Sequence, residues 1–332
     1  MTWDEGDLMI LVTGGAGFIG SVIVWALNQR GIDDIIIVDH LGTGDKWKNL
    51  TGLRFIDYCE KADFLSYLDK GAFDGHKLDA VLHLGACSST TETDASYLIK
   101  NNFEFSKALA LWANGNRARF IYASSAATYG DGEHGFDDNP AEIEKLTPLN
   151  MYGYSKQLFD LWLKRKGLLD KCVGIKYFNV FGPNEYHKGS MRSFILKSFE
   201  QISQAGEVKL FKSHHPDYGD GEQLRDFIYV KDAAAMTLHF LDNQAGGLFN
   251  VATGMARNWN DLVKATFAAM GKPARISYVD MPDSIRNQYQ YYTCGNIERI
   301  RQTGYTKPIF TLEQAIDDYV KNYLQTTSYL GN

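Results

Sequence analysis

Tyr152 and Lys156 stand four residues apart in the stretch NMYGYSK. On a helix, residues i and i+4 share a face, so this spacing sets a phenol beside an ammonium. A tyrosine hydroxyl titrates near ~10, and an adjacent cation favours its ionised form. The pair is therefore a candidate base for taking a proton from an alcohol near neutral pH. Tyr154, two positions on, should point elsewhere. Ser125 ends the apolar run ARFIYASS; there a hydroxyl can orient a substrate oxygen or simply cap a strand. Lys188 lies in the polar loop NEYHKGS, directly after CVGIKYFNVFGP. On spacing alone, a phosphate contact or a solvated loop charge describes Lys188 better than a catalytic role.

A second constellation sits near the start. VTGGAGFIGS places Gly14, Gly17 and Gly20 in a G-x-x-G-x-x-G pattern, after the buried-type run LMILVTG and at the opening of a helix. Glycines there permit a tight turn and let backbone N–H groups approach a pyrophosphate at the helix N-terminus. A strand before and a helix after are the context that gives the pattern its meaning, a dinucleotide site. Asp39 ends the next apolar run, DIIIVD, where an acid accepts from an adenosine ribose and favours NAD. Lys46 and Lys61 lie beyond it and could neutralise a 2′-phosphate. Spacing leaves NAD and NADP open.

The elements that must position these groups follow from periodicity. Buried-type strands are predicted at 8–14, 34–39, LRFID, 78–86 and 118–125, and helices at about 18–30, 94–114 and 151–166. CVGIKYFNV reads as a further strand. Alternating strands and helices predict an α/β protein with a Rossmann-type doubly wound parallel sheet. Past Pro183, helices at about 190–205, 231–242 and 258–270 alternate with short strands such as VKLF and GLFNVA. They predict a smaller C-terminal substrate-binding lobe. The expected division is 1–180 as the dinucleotide-binding domain, with about 224–253 rejoining it, and 181–332 mainly as the substrate lobe. SHHPDYGDGEQ, residues 213–223, is the most loop-like stretch.

Bulk properties narrow the class. A formal net charge of −6 over 332 residues argues against wholesale binding to nucleic acid or anionic membrane. No apolar run is long enough to span a bilayer, and the acidic start MTWDEGDL lacks the basic opening of an export signal. Cys59, Cys87, Cys172 and Cys294 are scattered, as expected of reduced thiols in a cytoplasm. No histidine has metal-ligand spacing, so no metal is expected. His83, on a predicted strand, reads as core, and His187 could tune Lys188.

In combination, Ser125, Tyr152, Lys156 and the glycine loop resemble the extended short-chain dehydrogenase/reductases. GACSSTTETD, YASSAATYG, YGYSKQLFD, YFNVFGPNEYHKGSM and LRDFIYVKD together are similar, over nearly the whole chain, to one nucleotide-sugar epimerase family, the ADP-L-glycero-D-manno-heptose 6-epimerases. CSSTTE and HKGSM are the most discriminating pieces. The resemblance implies epimerisation at C6 of ADP-D-glycero-D-manno-heptose: hydride abstraction to bound NADP, a ketone, and hydride return to the opposite face. This would supply the lipopolysaccharide inner core of a Gram-negative bacterium. It implies Tyr152 and Lys188 as an acid/base pair, with Ser125 and Lys156 in support and Lys156 also on the nicotinamide ribose. For the cofactor it implies Gly14, Gly17, Phe18, Ile19 and Gly20, then Asp39, His40, Lys46 and Lys61. Leu84, Gly85, Ala86, Cys87, Ser88, Asn101 and Val180 complete that set. For the substrate it implies Asn179, Ser190, Lys197, Phe211, Arg225 and Tyr289, with Arg225 as the diphosphate clamp. Homo-oligomers, pentamers among them, are implied as well. His40, Leu84 and Lys197 depart from residues common in the family, and 213–223 is longer than usual. The competing readings are another NAD(P)-dependent nucleotide-sugar epimerase or dehydratase, and a non-catalytic dinucleotide-binding protein. Ala126 and Ala127 beside Ser125 argue against a dehydratase, which wants an acidic pair there.

Overall fold

The computed structural model describes residues 8–71, 73, 78–286 and 289–331. The acidic opening segment, residues 1–7, lies outside the described residues. Seven parallel strands form the central sheet: β1 (Ile10–Thr13), β2 (Ile35–Asp39), β3 (Asp57–Glu60), β4 (Ala80–His83), β5 (Arg119–Ser125), β6 (Cys172–Tyr177) and β10 (Gly247–Val251), in the order β10-β6-β5-β4-β1-β2-β3. Apart from the edge strand β3, these short strands are largely buried, and they alternate their side chains between two cores. Ile10 and Val12 join the core that holds helix α1 (Phe18–Asn28), and Leu11 joins the core on the opposite face. This is the doubly wound Rossmann arrangement. Its strand order reverses between β1 and β4, where a crevice opens at the carboxyl ends of the strands.

Helices α2 (Lys61–Asp69), α3 (Ala95–Leu98), α4 (Phe105–Gly115) and α5 (Met151–Arg165) follow in sequence. The helix expected at 94–114 is realised as α3, a π-helical stretch Ile99–Glu104, and α4. Two expected strands are corrected. LRFID is not the third strand; pairing with Ile36–Asp39 selects Asp57–Glu60 instead. CVGIKYFNV breaks at Phe178, whose N–H bonds to Val251 O (3.1 Å) while its carbonyl accepts from Val180 N–H (2.8 Å). The chain turns there, and β7 (Asn179–Phe181) leaves for another sheet.

The C-terminal lobe contains α6 (Phe194–Ala205), β8 (Val208–Phe211), β9 (Leu224–Tyr229), β11 (Ala256–Asn258), α8 (Trp259–Ala269) and β12 (Ile276–Val279). β9 pairs with β7 and β11, and β8 with β12. Helix α7 (Val230–His239) and β10 return to the main sheet region. No helix among the described residues is long and apolar enough to cross a membrane.

A charged pair lies fully inside this fold. Lys176 Nζ sits 3.2 Å from Asp160 Oδ2, both side chains at 0% exposure. Tyr122 and Ser124 hydroxyls also donate to Asp160, and Lys176 donates to Thr128 Oγ1. Removing one partner of such a pair leaves an uncompensated buried charge. Lys176→Met is therefore expected to lower unfolding stability by ~3–5 kcal/mol, read from a denaturant melt.

Candidate active site

Helix α5 begins where Asn150 accepts a hydrogen bond from Gly153 N–H (2.8 Å), and Lys164 and Arg165 in its last turn complement the helix dipole. A Cβ on Gly153 would lie 2.6 Å from Ala127 O, so only glycine lets this turn approach the end of β5 so closely. Two successive residues of β5 then hold α5, and the third meets its first turn. Ala123 O accepts from Lys156 Nζ (2.8 Å), Ser124 Oγ donates to Asp160 (2.7 Å), and Ser125 Oγ accepts from Ala127 N–H (3.1 Å).

The electrostatics differ from the expectation for an isolated Tyr–Lys pair. Burial pushes the Tyr152 phenol above its ordinary range, the nearby Ser125 hydroxyl draws it partly back, and Cys87 adds to the rise. Burial brings the Lys156 ammonium down to about 8, against the pull of Asp160 one turn along the helix. Lys156 spends its proton on a backbone carbonyl rather than on Tyr152. Ser125 is thus the group that favours the ionised tyrosine in this structure.

Lys188 lines the same cleft from a different element. Its loop is fastened at both ends of a short span. Asn184 donates to Ser21 Oγ (3.0 Å) and accepts from Leu330 N–H (2.9 Å). Buried Glu185 accepts from Ser193 N–H (2.5 Å), Ser193 Oγ (2.6 Å) and Tyr319 OH (3.0 Å). Lys188 Nζ lies 5.0 Å from the Phe18 ring centroid. Burial lowers its proton affinity; Glu185 opposes this and Lys197 reinforces it. His187 is tied to Asn49 (3.1 Å), and burial with the nearby lysines draws its ring down to about 4, so it is neutral at pH 7.

The glycine loop forms the floor. Gly14 has φ +72°, and a Cβ there would lie 2.6 Å from Gly85 N. Asp39 turns both oxygens inward, one accepting from Ala16 N–H (2.8 Å), the other from His40 N–H (2.7 Å) and Lys46 Nζ (2.5 Å). These residues fit a dinucleotide: a Cβ-free cradle at a helix N-terminus, with a cation standing where an adenosine ribose would end.

A cleft of about 690 Å³ joins the two constellations. Gly14, Gly17, Phe18, Ile19, Gly20, Asp39 and Lys46 line it, as do Leu84, Gly85, Ala86, Ser88 and Val180. Ser125, Tyr152, Lys156, Asn179, Lys188 and Lys197 line it too. Other expected residues stand off the wall. His40 is exposed and contacts Glu60 (2.7 Å). Lys61 donates to Asn101 Oδ1 (2.6 Å), and Cys87 N–H bonds Asn102 (2.8 Å). Ser190 offers its carbonyl to Lys197 Nζ (2.6 Å), and Phe211 ends β8. Arg225 lies over the Tyr289 ring (5.3 Å). It makes no ion pair with Asp226, whose carboxylate accepts from Thr253, Gly254 and Gly295.

Sequence reasoning missed Phe194, Phe227, Trp259 and Gln290, all on the cleft wall. Phe227 had a signal: two positions after Arg225 on one strand, it shares that residue's face. His83, read as core, is buried and bonds Thr13 (2.6 Å) and Ser106 (2.8 Å).

The NAD dependent epimerase/dehydratase family matches residues 10–252. A Nitratidesulfovibrio vulgaris (strain DP4) protein named ADP-L-glycero-D-manno-heptose-6-epimerase is 52% identical over 317 residues, 95% of this chain and 98% of its own. A Fusobacterium nucleatum protein of the same name is 45% identical, covering 97% of this chain and all (100%) of its own. The crystal structure of the Helicobacter pylori protein of that name is similar with a TM-score of 0.80 at 28% identity, over 97% of this chain and 99% of that one.

A Cβ on Gly20 would sit 2.0 Å from Gly14 O. Gly20→Ala is expected to fold with displaced loop backbone and to retain less than about a tenth of the wild-type dinucleotide. Absorbance of the purified protein, set against its circular dichroism, checks this.

Proposed function

Because the chain belongs to the NAD dependent epimerase/dehydratase family, we propose that it converts ADP-D-glycero-D-manno-heptose to the L-glycero epimer at C6. One observation carries this reading: Tyr152 and Lys188, on different elements, line one cleft beside the dinucleotide loop. A hydroxyl occupies different sides of its carbon in two epimers, so a single acid/base group cannot easily serve both. When bound, the nicotinamide supplies a hydride acceptor and donor. Tyr152, held by Ser125, exchanges a proton with the hydroxyl on one side. Lys188, whose burial eases proton loss, does so on the other. The ketone between them lies against Asn179 and Val180. Residues up to about 180, joined by α7 and β10, hold the dinucleotide, and the C-terminal lobe, with β9 and Arg225, holds the sugar nucleotide.

We infer that the cofactor is NADP. Asp39 is engaged within the chain, and Lys46 presents an ammonium at the cleft, which suits a 2′-phosphate better than a hydroxyl. The sequence resemblance supports a cytoplasmic homo-oligomer that serves lipopolysaccharide precursor synthesis.

The direct test is incubation with ADP-D-glycero-D-manno-heptose and, separately, with UDP-glucose, resolving epimers by chromatography. Inversion of the first alone is expected; inversion of UDP-glucose alone would assign a different sugar. Dinucleotide released on denaturation should be NADP, and Lys46→Ala should retain at least about tenfold less of it.

Tyr152→Phe and Lys188→Ala should each lower kcat by ~10²–10⁴-fold while keeping bound cofactor. A non-catalytic binding protein would show no turnover to lose. The Lys156 ammonium is present below about 8 and lost above it. kcat/KM is therefore expected to fall as pH rises through about 8, and Lys156→Gln should abolish that limb.

A further inference from the structure

Asn49 sits in the 3₁₀ helix Asp45–Leu50, 1% exposed and off the wall of the cleft. Its amide nitrogen lies within hydrogen-bond reach of three acceptors: Ala16 O (2.9 Å), Asn184 O (3.1 Å) and His187 Nδ1 (3.1 Å). Carbonyl oxygens only accept, so Nδ2 must be the atom that faces Ala16 and Asn184. The same nitrogen can only donate to His187 Nδ1, which requires the neutral ring that burial favours. Asn49 Oδ1, by contrast, is buried with no partner among the described residues. A buried acceptor left unpaired costs stability. A side chain that only filled the core would do better apolar; this one is suited to joining separate acceptors.

The acceptors belong to the two halves of the site. Ala16 is in the glycine loop, where its N–H donates to Asp39 Oδ2 (2.8 Å). With its carbonyl on Asn49, both sides of that residue are held, two positions before Phe18 on the cleft wall. Asn184 and His187 belong to the turn that carries Lys188. Lys188 N–H bonds Glu185 O (3.0 Å), and its Nζ lies 5.0 Å from the Phe18 ring centroid. One amide therefore fixes the spacing between the dinucleotide floor and Lys188. A parallel tie runs through Ser21 Oγ, which donates to Phe18 O (3.1 Å) and accepts from Asn184 Nδ2 (3.0 Å). Loss of Asn49 should thus loosen the turn without detaching it.

We propose that Asn49 is a positioning residue: by bonding the glycine loop and the Lys188 turn at once, it sets Lys188 in register with the bound dinucleotide. Asn49 acts only through these loops. Its effect on turnover rests on reading Lys188 as an acid/base group; the tie between the two loops does not.

The test is a double-mutant cycle in the cofactor-loaded enzyme, with Asn49→Ala, Lys188→Ala and the two combined, each checked for folding by circular dichroism. Asn49→Ala should lower kcat about tenfold to a hundredfold, with KM within about threefold of wild type. In the Lys188→Ala background the same substitution should change kcat by less than about twofold, because the group it positions is gone. Amide hydrogen exchange across 184–191 in the holoenzyme should quicken about tenfold or more in Asn49→Ala, and bound dinucleotide should be lost faster on dilution. If Asn49→Ala does not fold, Asn49→Ser, which keeps one donor, goes through the same cycle. Unchanged kcat in the folded variant overturns the proposal. An equal loss with and without Lys188 also overturns it, since the damage would then be general. Unchanged exchange across 184–191 removes the tie itself. If Lys188→Ala alone keeps wild-type kcat, the acid/base reading of Lys188 falls, and faster exchange in Asn49→Ala would still uphold the tie.

Discussion

The site depends on how helix α5 is docked to the end of β5. Ala123 O and Ser124 Oγ bond Lys156 and Asp160 of that helix, and the Ser125 hydroxyl acts on Tyr152. Tyr152, Lys156 and Asp160 fall at i, i+4 and i+8 on one helical face. Gly153 permits the approach, and the buried Lys176–Asp160 pair sits behind it. A shift of α5 would move the phenol, the ammonium and the buried ion pair together. Catalytic geometry and fold stability are therefore coupled in this chain through one helix–strand junction.

The second half of the site is built by a different device. The loop bearing Lys188 has no regular sheet partner, yet Asn184 ties it to α1 and to Leu330, and Glu185 ties it to Ser193 and Tyr319. Asn49 bridges Ala16 O in the glycine loop to Asn184 O and His187. The cofactor loop, the Lys188 loop and the C-terminal segment thus share one buried hydrogen-bond network. Asn49 Nδ2 carries all three of these contacts, while its Oδ1 is buried without a partner among the described residues. Buried networks of this kind fix geometry that a solvated loop would lose. Lys188 lines the same cleft as Tyr152, and its loop is anchored to the floor on which the dinucleotide would lie.

Local patterns made much of this readable from sequence. Tyr152 and Lys156 are one helical turn apart, Ser125 ends a strand, and the glycine loop lies between a strand and a helix; each is a short-range signal. The parallel, doubly wound character of the main sheet followed from the alternation of its strands with helices. What was not readable depends on pairing at a distance. The break at Phe178 is decided by Val251, which lies far along the chain. Asp39 looked free to meet a ribose, and only the fold reveals Lys46 already upon it. Trp259 and Gln290 reach the cleft from the C-terminal lobe, where no spacing announces them. The expected depression of the Tyr152 pKa by Lys156 was reversed by burial, a property of the assembled site.

On the proposed function, two proton-transfer groups serve one carbon from two sides while its hydrogen is removed and returned without meeting solvent. The most direct test follows C6 of ADP-D-glycero-D-manno-heptose by NMR during inversion in D₂O, with no cofactor added. Inversion with the original hydrogen retained at C6 is the predicted result. Deuterium entering at C6 as the centre inverts would contradict the account, because it would mean that a proton, not a hydride, is taken from that carbon.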